Sequence, residues 1–524
     1  MLCAERIHQM RLWLEKISDR PERAILLLSL VLLLAGNWIL PLTDRDETRF
    51  AEASREMLQR HDFVVPWFNG AWRFDKPILI YWCQAVSYLV LGENPFAARL
   101  PSVLFTTGTA LIITRWGRKI YDAKTGFLAG AMFVTGLHVA MIGRVATADM
   151  AMVFFSTLAV WSGWELTRPG VKSFSGWWWL FYVTLALGFL AKGPVAWLPI
   201  GGLILGRLLR KYDFRLPLIE TIGGLCLASA LSAAWGIPAI QQTHGQYLKV
   251  GMGEHVVFRS VGVIDGHGLA GLLGFIATFP LYFITFFVSF FPWSTNKPER
   301  FDEWWPQVKA GEPSQSAKAL GMIVWMSLMS IPIRIGRWWP QRSRDPFGWY
   351  LLLQALIVFL VFSCVRTKLP HYTMPAFPCI ALWLAVQIAR ERDVFTWLTP
   401  RLTGMAVAVF IITLGFCSFA RPHLLTENLW EKLQPSIRPE TKVGCFGYTE
   451  PSLVWKFRSA TTNYVTLAGV SQAADFLTNS PPFILVLPTA NLTTLASTNG
   501  TLIQARGIDM VKVKNWNLTA IVRP

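Results

Sequence analysis

Between residues 24 and 420 one apolar run of membrane length follows another, and that leaves the chain few ways to fold. A hydrocarbon core about 30 Å thick takes about 20 apolar helical residues per crossing, because a helix satisfies its own backbone polar groups. Candidate crossings are 24–41, 97–114, 125–143, 150–167, 176–191, 194–209, 218–238, 319–333, 347–364, 371–389 and 402–420. The run 268–292 contains Pro280 and reads as one crossing, a re-entrant segment or two half-passes. The expected fold is therefore a polytopic α-helical membrane protein with about 11–13 transmembrane helices. Charged residues make up only 15% of the chain, against about 25% in soluble domains.

A net charge of +17 would suit a nucleic-acid partner, but the cations sit in short loops beside apolar runs. That is a topology signal, and no nucleic acid is expected. Arg6, Arg11, Lys16, Arg20 and Arg23 precede the first run, which reads as an uncleaved helix with a cytoplasmic N-terminus. The region 43–96 then faces outside, and Arg115, Arg118, Lys119 and Lys124 mark the next inner loop. Residues 78–92 would break this alternation, so they are expected to lie on the outer leaflet with Tyr81, Trp82 and Tyr88 at its surface. Charge also favours a broken 268–292, which puts Arg334, Arg337, Arg342 and Arg344 inside. The texture divides the chain into a membrane domain, 1–423, and a small outer α/β domain, 424–524. Strands are expected at 442–448 and 483–487, and helices near 450–458 and 471–478. The seven cysteines lack metal spacing, and Cys445 alone lies in the tail.

The polar island 43–77 sets carboxylates and guanidinium groups beside the bilayer, where ionisable groups are retained mainly for pairing or chemistry. Asp46 and Arg49 share one helix face. Asp44 and Glu47 have capping-box spacing, which leaves Asp46 as the better catalytic carboxylate. Asp149, Lys192 and Lys368 stand alone at outer ends of crossings, where snorkelling is the ordinary explanation. Yet Lys76, Lys192, Arg259 and Lys368 all fall on the side with fewer cations, which points to an anionic ligand such as phosphate. His255 beside Glu254 could take a divalent metal, but no second histidine has ligand spacing, so no cofactor is required. A transporter or lipid flippase is the competing class. It would show internal repeats and midplane charges, and neither is present in the sequence.

The segments RDETRFAEASREML (45–58), DFVVPWFNG (62–70), RFDKPILIYW (73–82) and FAARLPS (96–102) resemble the first outer loop of bacterial GT-C membrane glycosyltransferases. The likeness continues in order through TADM, AKGP, GEHVVFR and KLPHY, and is greatest to the lipid A aminoarabinose transferase and protein O-mannosyltransferase group. This resemblance implies a polyprenyl-phosphate-sugar donor, a lipid or protein acceptor, and transfer on the periplasmic side of the bacterial inner membrane. It also implies roles for particular residues. Asp46 matches an essential loop aspartate, Asp149 a second functional aspartate, and Lys76 a lysine that contacts the donor phosphate. Asp75 stands where the family often has glutamate. His255 and Arg259 fall in the loop that helps hold the lipid phosphate; Arg49, Lys192, Lys368 and Tyr372 complete the expected site.

Overall fold

The computed structural model describes residues 19–42, 45–209, 217–258, 271–295, 329–391, 394–495, 500–512 and 514–524, with isolated positions 318, 321 and 325. Among these residues, six helical segments are long and apolar enough to cross a membrane. Other apolar helices are shorter or broken. The first helix, α1 (Pro21–Leu34), begins at Glu22, which pairs with Arg118 at 2.9 Å. It ends near Asn37, whose carbonyl accepts from Arg99 at 2.8 Å.

The polar island forms α2 (Arg45–Arg60), followed by a small hairpin, β1 (Trp67–Phe68) and β2 (Ala71–Trp72), paired antiparallel. Helix α2 is buried along most of its length, glutamates included. Burial pushes the Glu52 carboxyl up to about 7 against the pull of neighbouring Arg55. Beneath it lies α3 (Leu79–Leu91), too short to span, with Val86, Leu89 and Val90 exposed. Tyr81 and Tyr88 are buried rather than at the surface as expected. Each phenol has an inward partner: Tyr81 accepts from Arg73 Nε at 3.0 Å, and Tyr88 donates to the Ala51 carbonyl at 3.1 Å.

Helix α4 (Pro95–Ile120) starts at an Asn94 cap that accepts from Ala97 N–H at 2.9 Å, and packs closely on α5 (Ala123–Thr135). A Cβ added at Gly126 would lie 2.4 Å from the Thr114 carbonyl, so small residues set this helix contact. After α6 (Leu137–Ile142), α7 (Asp149–Leu166) runs from Asp149 at one face to Glu165 at the other, where Lys119 meets it at 2.6 Å. Helices α8 (Gly176–Lys192) and α9 (Leu198–Leu208) form a continuous apolar stretch that doubles back. Gly193, at φ +77°, makes the reversal, and Trp197 Nε1 then donates to the Leu185 carbonyl at 3.1 Å. After this reversal the second run packs on α7, where a Cβ at Gly163 would lie 3.4 Å from Leu203.

Next come α10 (Leu218–Gln242), then α11 (Gly271–Thr278) and α12 (Leu281–Ser289), which meet at Pro280 within the ambiguous run. Most of the expected crossing 319–333 lies outside the described residues. Helix α13 (Ser330–Trp338) leads to α14 (Pro346–Cys364), where Phe347 meets Tyr121 at 5.9 Å. Arg342 and Arg344 immediately precede this contact, so they share the face of Arg118 and Lys119. The deeply buried segment Pro370–Arg390 includes α15 (Phe377–Glu391), and α16 (Val394–Phe410) opens the last apolar segment.

The tail contains α17 (Leu425–Leu433), β3 (Lys442–Phe446), α18 (Pro451–Arg458), β4 (Tyr464–Leu467), α19 (Val470–Phe476) and β5 (Phe483–Pro488). A hairpin, β6 (Thr501–Asp509) and β7 (Lys514–Arg523), completes a sheet of order β4-β3-β5-β7-β6. The pairs β3–β4 and β3–β5 are parallel, whereas β7 runs antiparallel to both neighbours. Strand β5 is buried throughout, which explains its unbroken apolar sequence. Apolar clusters line both sheet faces, one with α17 and α18 and the other with α19.

Candidate active site

The first turn of α2 is fixed from below. Glu47 and Arg99 form a two-pronged ion pair at 2.7 and 2.8 Å, with side chains 3% and 4% exposed. Arg99 also donates to the carbonyls of Asn37, Leu40 and Pro41, while the Glu47 carboxylate accepts from Ala146 N–H at 3.0 Å. One buried pair therefore joins the end of α1, the start of α2 and the loop before Asp149. Glu47 thus has a long-range role, and Asp44, its partner in the expected capping box, lies outside the described residues.

Asp46, exposed on the same turn, lies within electrostatic reach of half-buried Arg49 and buried Arg73. Arg73 binds Asp75 at 2.7 Å, and its guanidinium sits 5.2 Å from the Phe50 ring centre. Burial opposes the Arg73 cation, yet Tyr81 and Asp75 hold its pKa above the ordinary value. Burial and the repulsion of Arg73 lower that of Arg49. Lys76 is half-buried and donates to the Asp75 carbonyl at 3.1 Å.

A second cluster gathers where α7 begins and α8 ends. Asp149 pairs directly with Lys192, each side chain 11% exposed. His371 Nε2 stands 3.8 Å from Asp149 Oδ1, and the Lys192 ammonium lies 5.4 Å from the Tyr372 ring centre. His371 meets His138 edge-on at 6.4 Å, and His138 Nδ1 shares a hydrogen bond of 3.0 Å with Ser289. Asp46 also acts electrostatically on His371, which puts the two clusters in reach of each other. The arrangement sets carboxylates beside cations that could hold an anion. Among the described residues, no group of three or more His, Cys, Asp or Glu side chains could hold a metal ion.

The family model for dolichyl-phosphate-mannose-protein mannosyltransferase matches residues 75–235. An uncharacterized protein of Aquifex aeolicus is 28% identical over 372 residues, covering 70% of this chain and 73% of that protein. The undecaprenyl phosphate-alpha-4-amino-4-deoxy-L-arabinose arabinosyl transferase of Pectobacterium carotovorum is 27% identical over 415 residues, or 75% of this chain. The chain spans about two thirds of that transferase, 66% of its length. The crystal structure of ArnT from Cupriavidus metallidurans bound to undecaprenyl phosphate superposes with a TM-score of 0.71. It shares 15% identity, with 95% of this chain and 97% of that chain covered. The chain has the GT-C glycosyltransferase fold and resembles the aminoarabinose and mannosyl transferases.

Within this GT-C fold, Asp46, Arg49, Asp75 and Lys76 come together on one side of the site, and Asp149, Lys192 and Tyr372 on the other. Lys368 goes elsewhere. Its ammonium donates to the Phe362 and Ser363 carbonyls at 2.9 and 2.6 Å and lies 5.3 Å from the Tyr282 ring centre. It thereby caps α14, and burial draws its pKa down to about 8. Arg259 and the side chain of His255 lie outside the described residues. The segment Tyr247–Phe258 that leads to them packs on Phe74, whose ring meets Tyr247 at 5.8 Å. Sequence reasoning missed Arg73, Arg99 and His371. An arginine inside the apolar-flanked FAARLPS was the available signal for Arg99.

Proposed function

We propose that the chain transfers a sugar from a polyprenyl-phosphate donor to an envelope acceptor, a lipid A, another glycan or a protein, at the periplasmic face of the inner membrane. The observation that carries this reading is the convergence of Asp46, Lys76, the Asp149–Lys192 pair and Tyr372 at one end of the bundle. In the reaction, an acceptor hydroxyl attacks the anomeric carbon and the carbon–oxygen bond to phosphate breaks, inverting the configuration. Asp46 takes the hydroxyl proton, and the electron pair leaves with polyprenyl phosphate. Lys76, Arg49 and Lys192 favour the charge that grows on that leaving group, while Asp149 orients Lys192. No nucleotide is needed, because the lipid phosphate is itself the leaving group. A transporter reading is not favoured, since these charges cluster at one end rather than at the midplane.

Two results test this. Lys76→Ala should weaken polyprenyl-phosphate binding about tenfold, the effect of losing one charge-assisted hydrogen bond of about 1.5 kcal/mol. Arg118→Ala, on the opposite face beside Glu22, should leave binding unchanged. Equal losses in both would argue against a localised phosphate site. For orientation, a cysteine at exposed Ser480 should react with an impermeant reagent in intact spheroplasts. One at exposed Lys172, in the loop after α7, should react only after lysis. The reverse pattern would place the site in the cytoplasm.

A further inference from the structure

The tail does more than cover the membrane domain: it contacts α2 from its first residue to the hairpin beyond it. At the start, Arg45 pairs with Glu450 at 3.1 Å, and Lys512 meets the same carboxylate at 3.0 Å. In the middle, Arg458 Nε lies 3.0 Å from Glu52 and 3.7 Å from Glu56, both fully buried. Arg55 donates to the Trp455 carbonyl at 2.9 Å and lies 4.3 Å from that ring's centre. Beyond the helix, Asn69 donates to Thr466 at 3.2 Å and accepts from Arg458 at 3.4 Å. Two buried carboxylates one turn apart repel each other, and each costs several kcal/mol to desolvate without a counter-charge. Arg55 pairs with Glu52 and Arg60 with Glu56, within the helix itself. Arg458 is the cation in reach of both glutamates, and it comes from the tail.

We infer that the C-terminal domain holds the catalytic helix in register, with Arg458 and Glu450 as positioning residues for Asp46. The inference rests on the transferase reading above. Arg45 immediately precedes Asp46, so its pairing with Glu450 acts directly on the turn that carries the carboxylate. A displacement of about 1 Å at a reacting group can lower a rate about 10²-fold. The tail need not touch donor or acceptor to have this effect. Its loss should change kcat and leave donor KM alone.

The test pairs Arg458→Ala with a tether. Arg458→Ala in the full chain should lower kcat about 10- to 100-fold while donor KM stays within about twofold. Asn69→Cys with Thr466→Cys, joined by a short bifunctional thiol reagent and mapped by mass spectrometry, should leave turnover at the wild-type level. The same tether should restore most of the turnover lost in Arg458→Ala, which a simple folding defect would not permit. Unchanged kcat in Arg458→Ala, a matching rise in donor KM, or no rescue by the tether would overturn the inference. Where wild-type protein transfers sugar, such a result leaves the transferase reading intact. A wild-type protein that transfers nothing would overturn both.

Discussion

Asp46→Asn should abolish glycosyl transfer and leave the folded protein and its donor binding in place. Asparagine matches aspartate in size, and Asp46 is exposed on the first turn of α2, so packing has little to lose. Glu47 and Arg99, rather than Asp46, hold that turn to the membrane domain. In the proposed mechanism, what the substitution removes is the base. General-base catalysis contributes about 10²- to 10⁴-fold, so turnover should fall by at least that much. Donor affinity should change only a few-fold, because Lys76, Arg49 and Lys192 remain. Near-normal turnover by purified Asp46→Asn would remove this carboxylate from the mechanism.

Arg99→Met should be the most destabilising single change at the site. It strands the Glu47 carboxylate, with its side chain 3% exposed, and releases the carbonyls of Asn37, Leu40 and Pro41. Breaking a buried pair on one side costs about 3–5 kcal/mol, because the remaining charge has no counter-charge. Thermal unfolding in detergent should show a clear drop in Tm. Adding Glu47→Gln should recover part of it by removing the stranded charge. A single variant as stable as the wild type would mean that water or a neighbouring group satisfies Glu47 in place of Arg99.

Much of this was legible in the sequence because membrane burial leaves a strong signature. The runs that became α4, α10 and α14 could form little else, and the strand expected at 483–487 became β5 (Phe483–Pro488). The isolation of Asp149 and Lys192 at helix ends pointed to two residues that pair with each other. What stayed hidden depends on partners distant in sequence. Glu47 looked local until Arg99 met it from 52 positions away. Lys368 carried no sign that the end of its own preceding helix holds its ammonium. Tyr81 and Tyr88 looked interfacial because their composition suits a lipid surface, yet α2 lies over them. The β6–β7 hairpin was missed because polar residues interrupt it: β6 alternates exposed with buried positions, and β7 opens on a mostly exposed Lys-Asn-Trp-Asn run before its buried half. The tail's hold on α2 has no sequence signature, since it joins residues about 400 positions apart.

The most direct test is transfer itself, with the stereochemistry of the product. Purified protein in detergent is supplied with a polyprenyl-phosphate-linked sugar and envelope lipids or proteins as acceptor. Mass spectrometry follows the release of polyprenyl phosphate, and NMR of the product reports the anomeric configuration. The account predicts stoichiometric release of polyprenyl phosphate and an inverted linkage on the acceptor. Retained configuration, or binding of the donor without transfer to any envelope acceptor, would contradict it.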